Sequence, residues 1–127
     1  MKKNNQNKKE LKQAKKEMQA LLEGFFGNVI NYKDPKPLKV GFFKDFIEEA
    51  ERLNLPFSKR FFRKCLHLYT MRNAYLKAII QGGPRYDIQG KPCGEVVESE
   101  RNYAKEQIKK KKDRLRQKNT ISNTEIN

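Results

Sequence analysis

Four stretches of this chain repeat apolar residues at helical spacing, and proline or glycine separates most of them. Short helices that bury these stripes against one another are the expected solution. From about Lys9 to Phe26, Leu11, Ala14, Met18, Leu21, Leu22 and Phe25 form one stripe, and Gly27 is placed to stop the helix. Pro35 and Pro37 make residues 31–38 a loop. Phe42, Phe43, Phe46, Ile47, Ala50 and Leu53 then predict a helix over 40–53, whose other face carries Asp45, Glu48, Glu49 and Glu51. That acidic face should turn away from any polyanion. Ser58 reads as the N-cap of a third helix with Phe61, Phe62, Cys65, Leu66 and Tyr69 inside. A fourth, Arg72 to Ile80, is ended by Gly82, Gly83 and Pro84.

Arg85 to Ile88 alternates like a strand, and Gln89 to Pro92 supply turn chemistry, so one small hairpin is expected. The longest helix should run from Glu95 to Arg116 with Val97, Ala104, Ile108 and Leu115 along one side. Its early acids, Glu95, Glu98 and Glu100, and its late cations complement the helix dipole. The fold class is therefore α+β, predominantly helical, with about five helices and a small β-hairpin.

A chain of 127 residues has room for one modest core. The polar, patternless ends suggest a disordered basic tail over 1–8, a domain over 9–116 and a second disordered tail over 117–127. No apolar run is long enough for a membrane span, and the first residues lack the apolar stretch of a secretory signal. A cytoplasmic, monomeric protein without a membrane partner is expected. Cys65 and Cys93 have no CxxC partner and His67 is the sole histidine, so no zinc site, no metal and no cofactor is expected. Without a phosphate-binding glycine loop or a nucleophile–base pair, no catalytic residue is assigned.

The formal charge is +14, the footprint of a nucleic-acid binder. From Arg52 through Tyr86 there is no Asp or Glu, while Arg52, Lys59, Arg60, Arg63, Lys64, Arg72, Lys77 and Arg85 all fall there. The positive field thus sits on folded elements rather than only on the ends. Lys59 and Arg63 are one turn apart, with Arg60 and Lys64 on the adjoining ridge, so four cations can face a phosphate backbone. The free N–H groups at Ser58, Lys59 and Arg60 add an anion site. Tyr69 continues an apolar stripe and is assigned to packing, while Tyr75 is left to stack a base. His67 reads as a surface residue or a weak phosphate contact.

The segments PLKVG (37–41), FSKRFFRKCLHLYT (57–70), AYL (74–76) and RYDIQGKPCGE (85–95), followed by the long charged helix, resemble the ProQ/FinO domain in order and spacing across residues 10–116. The resemblance implies an RNA chaperone of minimal, single-domain form. In it, the third helix would grip the stem of a terminator-type hairpin, and a pocket beside the small hairpin would take the U-rich 3′ tail. On matching positions, Lys39, Lys59, Arg60 and Arg63 would hold phosphates, and Tyr75 and Arg85 would line the pocket. Lys39 comes from the resemblance alone. The chain departs from the family pattern at Asn73 and Ala74, where an aromatic and an arginine are usual, and at His67, where arginine is usual. Arg72 is then the neighbour placed to supply the missing charge.

The expected partner is structured RNA, meaning regulatory RNAs and mRNA 3′ ends. Two rival readings remain at the level of sequence. One is a DNA-binding regulator using the basic third helix, although that helix lacks an evident base-reading set. The other is a basic scaffold protein that binds mainly through its tails.

Overall fold

The computed structural model describes the backbone of residues 2–126 and the side chains of residues 8–118 other than Leu11. In chain order the elements are α1 (Lys2–Phe26), α2 (Phe42–Arg52), α3 (Lys59–Thr70), α4 (Asn73–Gln81), β1 (Pro84–Tyr86), β2 (Pro92–Glu95) and α5 (Glu98–Ile126). The described residues form a predominantly helical α+β fold, with five helices and a two-stranded antiparallel sheet, as the periodicities predict. No described helix is long and apolar enough to cross a membrane.

Each helix contributes one stripe to the core. Met18, Leu22 and Phe26 of α1 meet Phe42, Phe46, Ile47 and Ala50 of α2, and Phe62, Leu66 and Tyr69 of α3 close over them. Tyr75, Leu76 and Ile79 of α4 and Ala104 of α5 complete it. The α1 stripe is rotated from expectation: Phe26 is buried and Phe25 is 54% exposed. Met18, Leu22 and Phe26 share one i, i+4 ridge, and the Phe26 carbonyl accepts the N–H groups of Val29 and Ile30 at 3.0 and 2.8 Å, which draws that end inward. Gly27 follows the last residue of α1, where a side chain would collide with the Glu23 carbonyl oxygen.

The helical backbone runs past the expected domain limits to Lys2 and Ile126. Neither 2–23 nor 95–126 contains a glycine or proline to stop it. Most of the two expected tails, the side chains of 1–7 and 119–127, lies outside the described residues.

The hairpin takes residues that the last helix was expected to use. Pro84 stands opposite Glu95 and Tyr86 opposite Pro92, and Val96 N–H donates to the Gly83 carbonyl at 2.9 Å. α5 therefore begins at Glu98, where Glu100 Oε1 reaches back to accept the Val97 N–H at 2.9 Å, half of a capping box. Val97 consequently precedes the helix and is 54% exposed; Leu115, within α5, is also outside the core at 61%. β1 ends at Tyr86 rather than Ile88 because the chain already turns at Asp87, whose Oδ1 accepts the N–H groups of Gln89 and Lys91. Gly90, at φ 80°, completes the turn where a Cβ would lie 2.6 Å from the Asn28 carbonyl oxygen. The proline-rich segment also joins the hairpin: Tyr86 N–H donates to Pro37 at 2.9 Å, and Lys39 N–H donates to Tyr86 at 2.8 Å.

Tyr69 fastens this loop from inside. Its hydroxyl donates to the Asn31 carbonyl at 3.1 Å and accepts the Asn31 N–H at 3.2 Å. Burial, opposed by the Asn31 contact, pushes the phenol up to about 12 from its usual 10.0. The folded state thus holds a proton that the unfolded chain releases near pH 10. Stability from this group is intact below about pH 10 and is lost as pH rises toward about 12, by on the order of 2 kcal/mol. Urea unfolding from pH 9 to 12 should show a decline to which Tyr32, also pushed up to about 12 by burial, contributes as well, so Tyr69→Phe should make it shallower without abolishing it. An equally steep decline in the variant would assign the effect elsewhere.

Candidate nucleic-acid interface

α3 begins with its cap in place: Ser58 Oγ accepts the Phe61 N–H at 3.1 Å. Helix geometry leaves the N–H groups of Lys59 and Arg60 without intrahelical acceptors. Lys59, Arg60, Arg63, Lys64 and His67 are all exposed, because Phe62, Leu66 and Tyr69 take the buried side. Residues 59, 63 and 67 mark successive turns of one ridge, and 60, 64 and 68 mark the next.

Along the first ridge, Lys59 lies beside Glu51 at 3.5 Å, and the Arg63 guanidinium sits 4.8 Å from the Phe43 ring centre. His67 then borders a hollow of about 390 Å³ between α3, α4, β1 and α5, whose walls include Thr70, Tyr75, Arg85, Glu100 and Tyr103. His67, Tyr75 and Arg85 meet at this hollow, and Arg63 and Lys59 precede His67 by one and two turns of α3.

At the base of the hollow Arg85 is 8% exposed. Its Nη1 donates to the Leu38 carbonyl at 2.5 Å, and its Nη2 meets Glu100 Oε2 at 2.7 Å. Nε is buried without a hydrogen-bond partner. Tyr75 accepts the Leu38 N–H at 3.0 Å, so both polar groups of Leu38 are held by residues of the hollow. Burial raises the Tyr75 phenol above its ordinary value, against the lowering effects of Leu38 and Arg85. Only 7% of Tyr75 is exposed and its ring packs on Tyr69, so, contrary to the sequence expectation, it has no open face on which a base could stack and serves as core and wall.

The remaining expected site residues are placed differently. Lys39 does not line the hollow; its ammonium is 2.7 Å from Asp45, which raises its pKa through that hydrogen bond and charge. Two residues of the acidic face of α2, Asp45 and Glu51, thus lie beside cations expected at the site. Asp45 and Glu51 border its buried stripe on either side, so burying Phe46 and Ala50 sets one against Lys39 and the other near Lys59. Lys77 is exposed on α4 and does not line the hollow. Arg72 does not supply charge there either. It caps α4 in an extended conformation, φ −67° and ψ 145°, and its guanidinium covers Tyr32 instead, 4.7 Å from the ring centre.

Tyr103, missed in the sequence reading, is 55% exposed and lines the hollow. It follows Ser99 by one turn on the same wall, and a large aromatic on an otherwise charged helix was the available signal.

The ProQ/FINO family model matches residues 9–120. Among solved structures, the chain is similar to a FinO-like RNA chaperone from Neisseria meningitidis MC58, with 26% identity and a TM-score of 0.60 over 73% of this chain and 92% of that one. It is also similar to a ProQ homolog from Legionella pneumophila, with 35% identity and a TM-score of 0.58 over 68% of this chain and 73% of that one. With its helices, its hairpin and nearly nine-tenths of its sequence in register with that pattern, this chain belongs to the ProQ/FinO family.

Proposed function

We propose that this protein is a non-catalytic RNA chaperone, a monomer in the cytoplasm, that binds the stem and U-rich 3′ tail of terminator-type hairpins in regulatory RNAs and mRNAs. It would protect those ends and promote RNA–RNA pairing. The observation that carries this reading is the continuity of the Lys59–Arg63–His67 ridge with the hollow at Tyr75, Arg85 and Tyr103. A paired stem offers phosphates and 2′-hydroxyls to such a ridge, since its deep major groove is closed to side chains. Bases beyond the stem are open, and the exposed Tyr103 ring is a surface on which one can stack. Glu100 can accept a hydrogen bond from a terminal hydroxyl but none from an ionised phosphate, and its partner Arg85 is already engaged by it at 2.7 Å.

Binding of a terminator hairpin should therefore weaken when its U-tail is removed or a 3′ phosphate is added. Tyr103→Ala should cost about 1–3 kcal/mol for the tailed RNA and little for the tailless one. Gel shift or anisotropy at fixed salt reads each effect. Indifference to tail and phosphate alike would defeat the pocket, and equal competition by duplex DNA would favour a DNA regulator instead.

A further inference from the structure

A second basic surface runs from the Cys65–Leu68–Tyr69 side of α3 across the α3–α4 corner to α5. Arg72 lays its guanidinium over Tyr32 and donates from Nη1 to the Tyr32 carbonyl at 2.9 Å. It is exposed, and it lines two hollows at once. One, of about 350 Å³, also involves Lys15, Tyr32 and Leu68. The other, of about 520 Å³, involves Asn73 and, from α5, Lys111, Arg114, Leu115 and Lys118. Lys111 Nζ donates to the Met71 carbonyl and to Asn73 Oδ1, which ties α5 to the α3–α4 corner and fixes the second hollow.

Five cations and no carboxylate line these two hollows, and neither shares a residue with the one at Tyr75 and Arg85. The surface is not purely ionic. Leu68 and Leu115 are 42% and 61% exposed there, and the Arg72–Tyr32 pair offers a planar, π-bearing platform. A paired helix keeps its bases inside and would use the cations alone. An unpaired strand uses all three elements, with phosphates on the cations and bases on the platform and leucines.

We infer that this surface holds a second, unpaired RNA strand while the Lys59–Arg63–His67 ridge and its hollow hold the hairpin. The choice of RNA rests on the proposed function. Hollows that meet near the α3–α4 corner without a shared lining residue would let one molecule carry both partners of a pairing reaction.

The test uses the full chain, a fluorescent, unstructured RNA of roughly 12 nucleotides without a U-run, and a terminator hairpin. The strand is expected to bind equally with and without saturating hairpin. Arg72→Glu combined with Arg114→Glu should weaken strand binding about tenfold or more while hairpin affinity stays within about twofold. Arg72→Lys, which keeps the charge but loses the plane, should weaken the strand several-fold. Displacement of the strand by the hairpin, unchanged strand affinity in the double variant, or equally effective competition by polyglutamate would each overturn the inference. Failure of the hairpin to bind would count against the proposed function alone, since the strand measurement reads independently of it.

Discussion

Arg85→Met is expected to lower the unfolding free energy by about 3 kcal/mol and to remove tail-dependent RNA binding. The side chain is nearly buried and makes a charged hydrogen bond to the Leu38 carbonyl as well as the ion pair with Glu100. Methionine fills similar space but leaves that carbonyl without its donor, at about 1.5–3 kcal/mol for a bond to a charged group. Glu100 is also left unpaired. Its side chain is 32% exposed, so solvent screens most of that penalty, and the carboxylate still caps the Val97 N–H. Arg85→Met with Glu100→Gln should consequently recover only a fraction of the loss. Arg85→Lys should fall between wild type and methionine, because a single ammonium cannot reproduce the forked contact. Urea denaturation with an unchanged m-value measures the cost. A loss under about 1 kcal/mol would mean that Leu38, and with it the segment bearing Lys39, is held by something else.

The helices were legible where burial is periodic and local, and the site was legible where its residues share a helix. The stripes of α2 and α3, the Ser58 cap and the exposed ridge of Lys59, Arg63 and His67 follow from spacing alone. What spacing could not supply was pairing between distant segments. Tyr86 recruits Pro37 and Lys39, and β2 claims residues up to Glu95, which moves the start of α5 and frees Glu100 to meet Arg85. The pairing of Asp45 with Lys39 depends on the same tertiary docking. Arg72 shows the limit most clearly. Three residues before Tyr75, it would share that residue's face if it were helical, but as an extended N-cap it leaves for Tyr32.

The largest effect on stability is expected from Phe46→Ala, at about 3–5 kcal/mol. Phe46 has no exposed surface, and its ring is the point where three helices meet. It lies 4.7 Å from Phe26 of α1, 6.0 Å from Phe42 on its own helix and 5.2 Å, edge to face, from Phe62 of α3. Alanine removes these contacts and leaves a cavity that rings anchored on separate helices cannot readily close. A fall in Tm of roughly 10–20 °C corresponds to that cost in a chain of this size. Phe46→Leu keeps most of the volume and should lose much less, near 1.5 kcal/mol. The consequence reaches the interface, because Phe62 is what holds the basic ridge of α3 outward while Phe42 and Ala50 set where Asp45 and Glu51 fall. At a temperature where the alanine variant is still folded, its hairpin affinity should decline for tailed and tailless RNA alike, unlike the tail-selective loss from Tyr103→Ala. A variant that loses less than about 1 kcal/mol would show that α3 is positioned without this aromatic junction.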